Sequence, residues 1–195
     1  NKLFDDALLS IEKGKLINPL VSELYFAEGS IYISQNKKQK AKKSLEQGLK
    51  IQPKNTNALF QYGNIFLMEK NYENALKKYN KIIEIKANFW QAINNKGLIY
   101  FEQDKILLAI NNFTKAIEIE RNAESMLALG VSLKNINKKK SISLVKEALQ
   151  KTPNYVSFDF RKEQLWGEKL QKATEELFKI EELRKDVSIA NLYKN

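Results

Sequence analysis

Glycine recurs at Gly29, Gly63 and Gly97, spaced 34 residues apart, and Gly130 follows after 33. A repeat of that length constrains the fold more than any other feature, because each unit has to be one small supersecondary structure that buries its apolar face against copies of itself. Other positions keep the same phase. Three residues after each glycine stands a large side chain: Tyr32, Phe66, Tyr100 and Leu133. Ala41, Ala75 and Ala109 follow the first three glycines by twelve residues. Four residues on come Leu45, Tyr79 and Phe113, and three further Gly48, Ile82 and Ala116. Pro53 closes the first unit and Pro153 the fourth, while Ala87 and Arg121 occupy that place between them.

Within a unit the apolar residues recur at helical spacing, as in Leu59, Tyr62, Gly63 and Phe66. A polar turn, Glu69-Lys70-Asn71, precedes a second amphipathic run from Tyr72 to Ile85. The pattern predicts two antiparallel helices, A and B. Gly63 and Ala75 allow close approach, and Phe66 and Tyr79 fill the space beside it. Proline after helix B stops it, for want of an N–H.

Composition agrees with a helical chain and removes several chemistries. Seven Gly and three Pro among 195 residues are few for a sandwich or barrel. Cysteine and histidine are both absent, which excludes disulfides, Cys/His zinc sites and histidine bases. No run approaches the roughly 20 apolar residues of a membrane-spanning helix. Asp5-Asp6 and Glu175-Glu176 are paired carboxylates, but on amphipathic helices they read as solvated faces, and no activated nucleophile–base pair is visible. No enzyme activity, cofactor, metal or small-molecule substrate is therefore expected.

The residues 1–153 resemble the tetratricopeptide repeat (TPR) family, best in 56–89 and 90–123, through the in-phase Gly, large, Ala, large and Pro positions quoted above. The resemblance implies an all-α, right-handed superhelical solenoid of helical hairpins. Its expected divisions are a half-repeat at 1–21, units at 22–55, 56–89 and 90–122, a degenerate unit at 123–154, and a C-terminal capping helix and tail at 155–195. The half-repeat rests on Phe4, Ala7, Ile11, Gly14 and Pro19, which match a helix B and its terminator. The cap rests on Trp166, Leu170, Ala173, Leu177, Ile180 and Leu183, one face of one or two helices, with Ser188–Asn195 expected to fray. An unpartnered half-repeat suggests further chain upstream, or dimerisation through that end.

The resemblance also implies a peptide-binding groove lined by the A helices. Its positions are Glu23, Phe26, Ser30, Ile33 and Ser34; then Asn57, Phe60, Asn64, Leu67 and Met68. The third unit gives Gln91, Asn94, Leu98, Phe101 and Glu102, and the fourth Glu124, Leu127, Val131 and Lys134. Members that clamp a chaperone's C-terminal carboxylate use cations here, whereas this chain has Phe26, Gln91 and Asn95, which argues against such a ligand. The expected partner is an extended apolar segment of a protein, with Asn64 and Asn94 gripping its main chain, and the aromatics either anchoring it or packing between A helices.

The net charge is +10, yet only Arg121, Arg161 and Arg184 are arginines; abundant Lys, Asn and Ile also reflect AT-rich codons. Lys37, Lys38, Lys40, Lys42 and Lys43, and Lys138–Lys140, fall on turns and convex faces. Such runs are usually solvated; the functional alternative is docking on an anionic membrane. RNA binding ranks third, since no aromatics interleave the lysines. The expected location is the cytoplasm or a membrane surface, as a soluble domain of a longer protein.

Overall fold

The computed structural model describes residues 2–194, and among them every regular element is helical. They form two compact units, Asn1–Ala87 and Asn88–Asn195.

The first unit holds α1 (Lys2–Ile17) and two hairpins, α2 (Ser22–Ser34) with α3 (Lys38–Ile51) and α4 (Thr56–Met68) with α5 (Tyr72–Ile85). Its helix boundaries have simple causes. Helix α1 ends at Ile17 and α3 at Ile51, each two residues before a proline, Pro19 and Pro53. Helix α4 is entered through Asn55, whose side chain accepts from the Ala58 N–H at 2.9 Å, and α5 through Asn71, which accepts from the Asn74 N–H at 3.3 Å.

The A helices end in a turn repeated every 34 residues. Asn36, Lys70 and Asp104 all adopt left-handed backbone, with φ of 55°, 56° and 60°. Around Lys70, the Lys70 N–H bonds the Leu67 carbonyl at 2.9 Å and the Asn71 N–H reaches back to Phe66 at 2.8 Å. That pair of bonds is the Schellman closure, which satisfies the last carbonyls of the helix. The missing residue of the fourth unit is this left-handed one: there Asn137 bonds directly to Leu133 and no positive φ occurs.

Inside each hairpin the glycine of helix A meets a large side chain of helix B. A Cβ on Gly63 would stand 2.6 Å from Tyr79 Cε1, and one on Gly29 2.9 Å from Leu45 Cγ. Ala41, Leu45, Ala75 and Tyr79 are wholly buried at these crossings.

The second unit holds α6 (Trp90–Glu102) with α7 (Ile106–Ile119) and α8 (Ala123–Leu133) with α9 (Lys138–Lys151). Gly97 crosses Phe113, and Gly130 crosses Val145, where the Ser141 hydroxyl also donates to the Gly130 carbonyl at 2.6 Å. Pro153 opens a 3-10 turn over Pro153–Val156. The chain then continues as α10 (Phe158–Glu163), α11 (Glu168–Phe178), a 3-10 turn Glu181–Leu183, and α12 (Arg184–Tyr193).

This C-terminal part departs from the expected one or two capping helices. Leu165 takes φ 66°, and the Trp166 N–H bonds Arg161, so the chain turns sharply before Gly167. Helix α11 lies on the A helices α6 and α8, while α12 packs on α9 and the 3-10 turn. The expected fraying over 188–195 is also corrected: α12 runs to Tyr193, because Ala190 is buried in the core. Asn1 and Asn195 lie outside the described residues.

Replacing Gly63 or Gly97 by leucine forces a side chain into Tyr79 or Phe113. Each variant should lose about 1–3 kcal/mol of stability in urea unfolding, the usual range for overpacking a core. Unchanged midpoints in both would mean that the glycines do not set the hairpin spacing.

Candidate functional site

The expected groove positions divide between the two units and fare differently in each. In the first unit Phe26, Ser30, Ile33, Phe60 and Asn64 are half-buried, Leu67 is buried, and Met68 is 43% exposed. Glu23, Ser34 and Asn57 are exposed. Several of these side chains already have partners. The Phe26 ring occupies the place a Cβ on Gly48 would take, so Phe26 is partly core. Phe60 leans on Tyr79 with ring centroids 6.0 Å apart. The Tyr79 hydroxyl donates to Asn64 Oδ1 at 2.7 Å, and the Gln61 amide donates to Ser30 Oγ at 2.9 Å.

In the second unit the corresponding positions are covered by the chain itself. Asn94 is buried, and Leu98, Phe101, Leu127 and Val131 lie in one buried cluster with Trp166, Leu170, Leu177 and Phe178. Gln91 is half-buried. The expectation that Asn94 grips a partner's main chain is therefore corrected. Its amide donates to Glu124 Oε1 at 2.9 Å, and its carbonyl accepts from the Ser125 hydroxyl at 2.8 Å. The physical reason is that α11 brings an apolar stripe of its own to α6 and α8, and burying that stripe excludes water from the same surface.

Polar contacts fix this covering segment at both ends. Glu102 accepts from the Leu170 N–H at 3.0 Å and the Lys169 N–H at 3.3 Å, so a groove carboxylate caps the first turn of α11. At the other end Lys134 pairs with Glu176 at 3.0 Å. Arg161 is fully buried: Nε donates to Gln171 at 2.7 Å, NH1 donates to the carbonyls of Tyr155 and Val156, and NH2 pairs with Glu175. Burial lowers its pKa, and Glu175 opposes that shift.

Glu124 is the electrostatic centre of the contact. Its side chain is half-buried as a whole, but the carboxyl is enclosed, accepting from Asn94 and, at 3.3 Å, from Trp166 Nε1. Burial pushes its pKa up to about 7, against the pull of hydrogen bonds from Asn94, Trp166 and Tyr155. The Tyr155 hydroxyl is raised too, by burial and then by the Glu124 charge.

The lysines also divide. Lys42 pairs with Glu69 at 2.8 Å, Lys138 with Glu182 at 2.7 Å and Lys146 with Asp186 at 3.3 Å. Among the described residues Lys37, Lys38, Lys40 and Lys43 make no ion pair. Helix α1 exposes Leu3, Leu9, Leu16 and Ile17, and Leu20 follows in the loop. Among the described residues no cluster of carboxylates could hold a metal ion, and no helix is long and apolar enough to cross a membrane.

With hairpin, turn and packing positions all recurring, comparison with known families is direct. Tetratricopeptide-repeat models match residues 22–55, 57–85 and 91–122. This chain is a TPR protein. MamA is similar at a TM-score of 0.69 and 20% identity, over 76% of this chain and 88% of that one. PilF of Pseudomonas aeruginosa is similar at 0.69 and 17%, over 98% of this chain and 82% of that one. The first TPR of Spaghetti (RPAP3), bound to the HSP90 peptide SRMEEVD, is similar at 0.54 and 19%, over 63% and 92%. A search of curated protein sequences finds no match. Identities this low carry the shared fold and nothing finer.

The Glu124 shift fixes the sign of a pH effect. Between the ordinary carboxylate value of 4.5 and about 7 the native state holds a proton that the unfolded chain releases. Stability therefore falls as pH rises through that window and levels off above it, a loss on the order of 3 kcal/mol from this group. Glu124→Gln should flatten the window relative to the parent protein and be the more stable of the two at pH 8, as read by thermal unfolding at several pH values. Parallel curves for the two proteins would contradict a buried, neutral Glu124.

Proposed function

We infer that this TPR protein is a non-catalytic interaction scaffold, and that a peptide or protein partner docks on the A helices α2 and α4. The observation that supports the reading is the contrast in coverage. Met68 is exposed, and Phe26, Ser30, Ile33 and Phe60 remain half-buried. Asn94, Leu98, Phe101 and Leu127, at the matching positions of later repeats, are already sealed beneath the chain's own Trp166 and Leu170. A surface of this kind has its apolar anchors in a patch with hydroxyl and amide groups, which suits a partner with large apolar side chains and an accessible main chain. Binding of a chaperone's C-terminal carboxylate is disfavoured, because Phe26 stands where the clamp members carry a cation and Asn95 is largely buried. The role in complex assembly follows from this reading of the surface.

A cross-linked pull-down from the source cells, comparing the parent chain with Met68→Asp, tests it. The substitution places a charge on an exposed site and should leave thermal stability close to unchanged, since surface changes usually stay within about 0.5 kcal/mol. A protein captured by the parent and lost in the variant is the expected result. Identical capture by both would move the interaction away from α2 and α4. Capture that transfers to anionic vesicles and vanishes with salt would favour the membrane-docking alternative instead.

A further inference from the structure

Three positions of each A helix recur on the side away from the groove, facing the seam with the B helices. They are Leu59, Tyr62 and Phe66 in the second repeat, Ile93, Lys96 and Tyr100 in the third, and Met126, Leu129 and Leu133 in the fourth. The first repeat has Tyr25, Glu28 and Tyr32. The residue near the end of the preceding helix B is Leu49 for the second repeat, Ile117 for the fourth and Lys15 here. Here both the A-helix triplet and the residue facing it contribute polar groups, and the triplet has no aliphatic member.

A cleft lies at this seam. It measures about 370 Å³ and is lined by Lys15, Tyr25, Glu28, Tyr32, Lys40 and Lys43. That volume falls in the range of small-ligand pockets, about 300–1,000 Å³. Its side chains are held in place by one another. Glu28 accepts from Lys15 Nζ at 2.6 Å and from the Ser44 hydroxyl at 2.6 Å. Lys15 stands 4.3 Å above the Tyr25 ring, and Lys40 stands 5.6 Å from the Tyr32 ring. The Tyr25 hydroxyl is turned outward to the Pro19 carbonyl at 3.0 Å, leaving the ring as a wall.

The charge of the cleft is uneven. Glu28 is matched by Lys15, whereas Lys40 and Lys43 have no carboxylate partner among the described residues. The adjoining cleft, about 430 Å³, shares Lys15, Glu28 and Tyr32 but carries Asp5 and Glu12. An anion is thus repelled from the α1 side and drawn to α3. Two uncompensated lysines match a phosphomonoester, which carries about −1.5 to −2 charges at neutral pH, better than they match a single carboxylate.

We propose that the cleft formed by α1, α2 and α3 binds a phosphomonoester group, free or carried on another molecule's side chain, with Lys40 and Lys43 as its charge partners and Tyr25 and Tyr32 as its walls. The site is separate from the A-helix surface of α2 and α4 and does not depend on the scaffold reading.

Amide chemical-shift titrations with inorganic phosphate and with O-phosphotyrosine, at constant ionic strength, test the proposal. Saturable shifts are expected at Tyr25, Tyr32 and Ser44. Lys40→Ala/Lys43→Ala should weaken them at least about tenfold, since charge-assisted bonds carry the affinity. Lys37→Ala/Lys38→Ala, on the neighbouring turn, should leave them unchanged. Tighter binding of phosphotyrosine than of phosphate assigns the group to a carried side chain, and equal binding assigns it to the free anion. The absence of saturation at about 10 mM ligand, or equal losses in both lysine pairs, overturns the proposal. A second variant separates binding from folding. Lys15→Leu/Glu28→Leu replaces the ion pair by apolar side chains, as Ile117 and Leu129 do in the fourth repeat, and is expected to raise the unfolding temperature while abolishing the shifts. A lowered unfolding temperature would show that the polar set serves the fold, and would also overturn the proposal.

Discussion

Every hairpin depends on the contact between a glycine on helix A and a bulky side chain on helix B. Gly29 with Leu45, Gly63 with Tyr79, Gly97 with Phe113 and Gly130 with Val145 are four forms of one contact. The glycine contributes the absence of a Cβ, so the partner's side chain can sit against backbone. That close approach sets the distance between the two helices, and the spacing in turn fixes which residues face the neighbouring hairpin. The left-handed turn residues Asn36, Lys70 and Asp104 complete the arrangement, closing each A helix at the same register before B begins.

Once that frame exists, its two surfaces can diverge between repeats, because neither is needed to hold a hairpin together. The groove positions of the second unit have become a core: Leu98, Phe101 and Leu127 receive Trp166, Leu170 and Leu177 from the chain's own C-terminal segment. The cost of that choice is concentrated in Glu124, a carboxyl enclosed with Asn94 and Trp166 and no cation beside it. Arg161 shows the opposite solution, a buried charge each of whose three nitrogens finds an acceptor. At the first seam the divergence runs the other way, and a cleft has opened around Lys15, Glu28 and two tyrosines.

The TPR assignment and this division of surfaces point to one working arrangement. The second unit is closed by its own tail, and the first presents its A helices α2 and α4. On the scaffold function proposed above, a partner would meet Phe26, Phe60 and Met68 on α2 and α4. The lysines follow the same division: Lys138 and Lys146 pair with Glu182 and Asp186 of the C-terminal segment, while among the described residues Lys37, Lys38, Lys40 and Lys43 make no ion pair.

The period of 34, the small-to-large pairs and the three prolines were legible in the sequence, because each is a local requirement of a helical hairpin that recurs in phase. The missing residue of the fourth turn was visible as a count, though its identity as the left-handed residue was not. What the sequence could not decide is which surface a given side chain meets. Asn64 and Asn94 occupy neighbouring groove positions on successive A helices, yet one bonds Tyr79 of its own hairpin and the other is sealed in with Glu124 and Ser125. The difference comes from residues some 70 positions further on, Trp166 and Leu170, where Leu165 turns the chain back over α6 and α8. No local periodicity encodes that return. It is set by the gain from burying one apolar stripe against another, which exists only once both are folded.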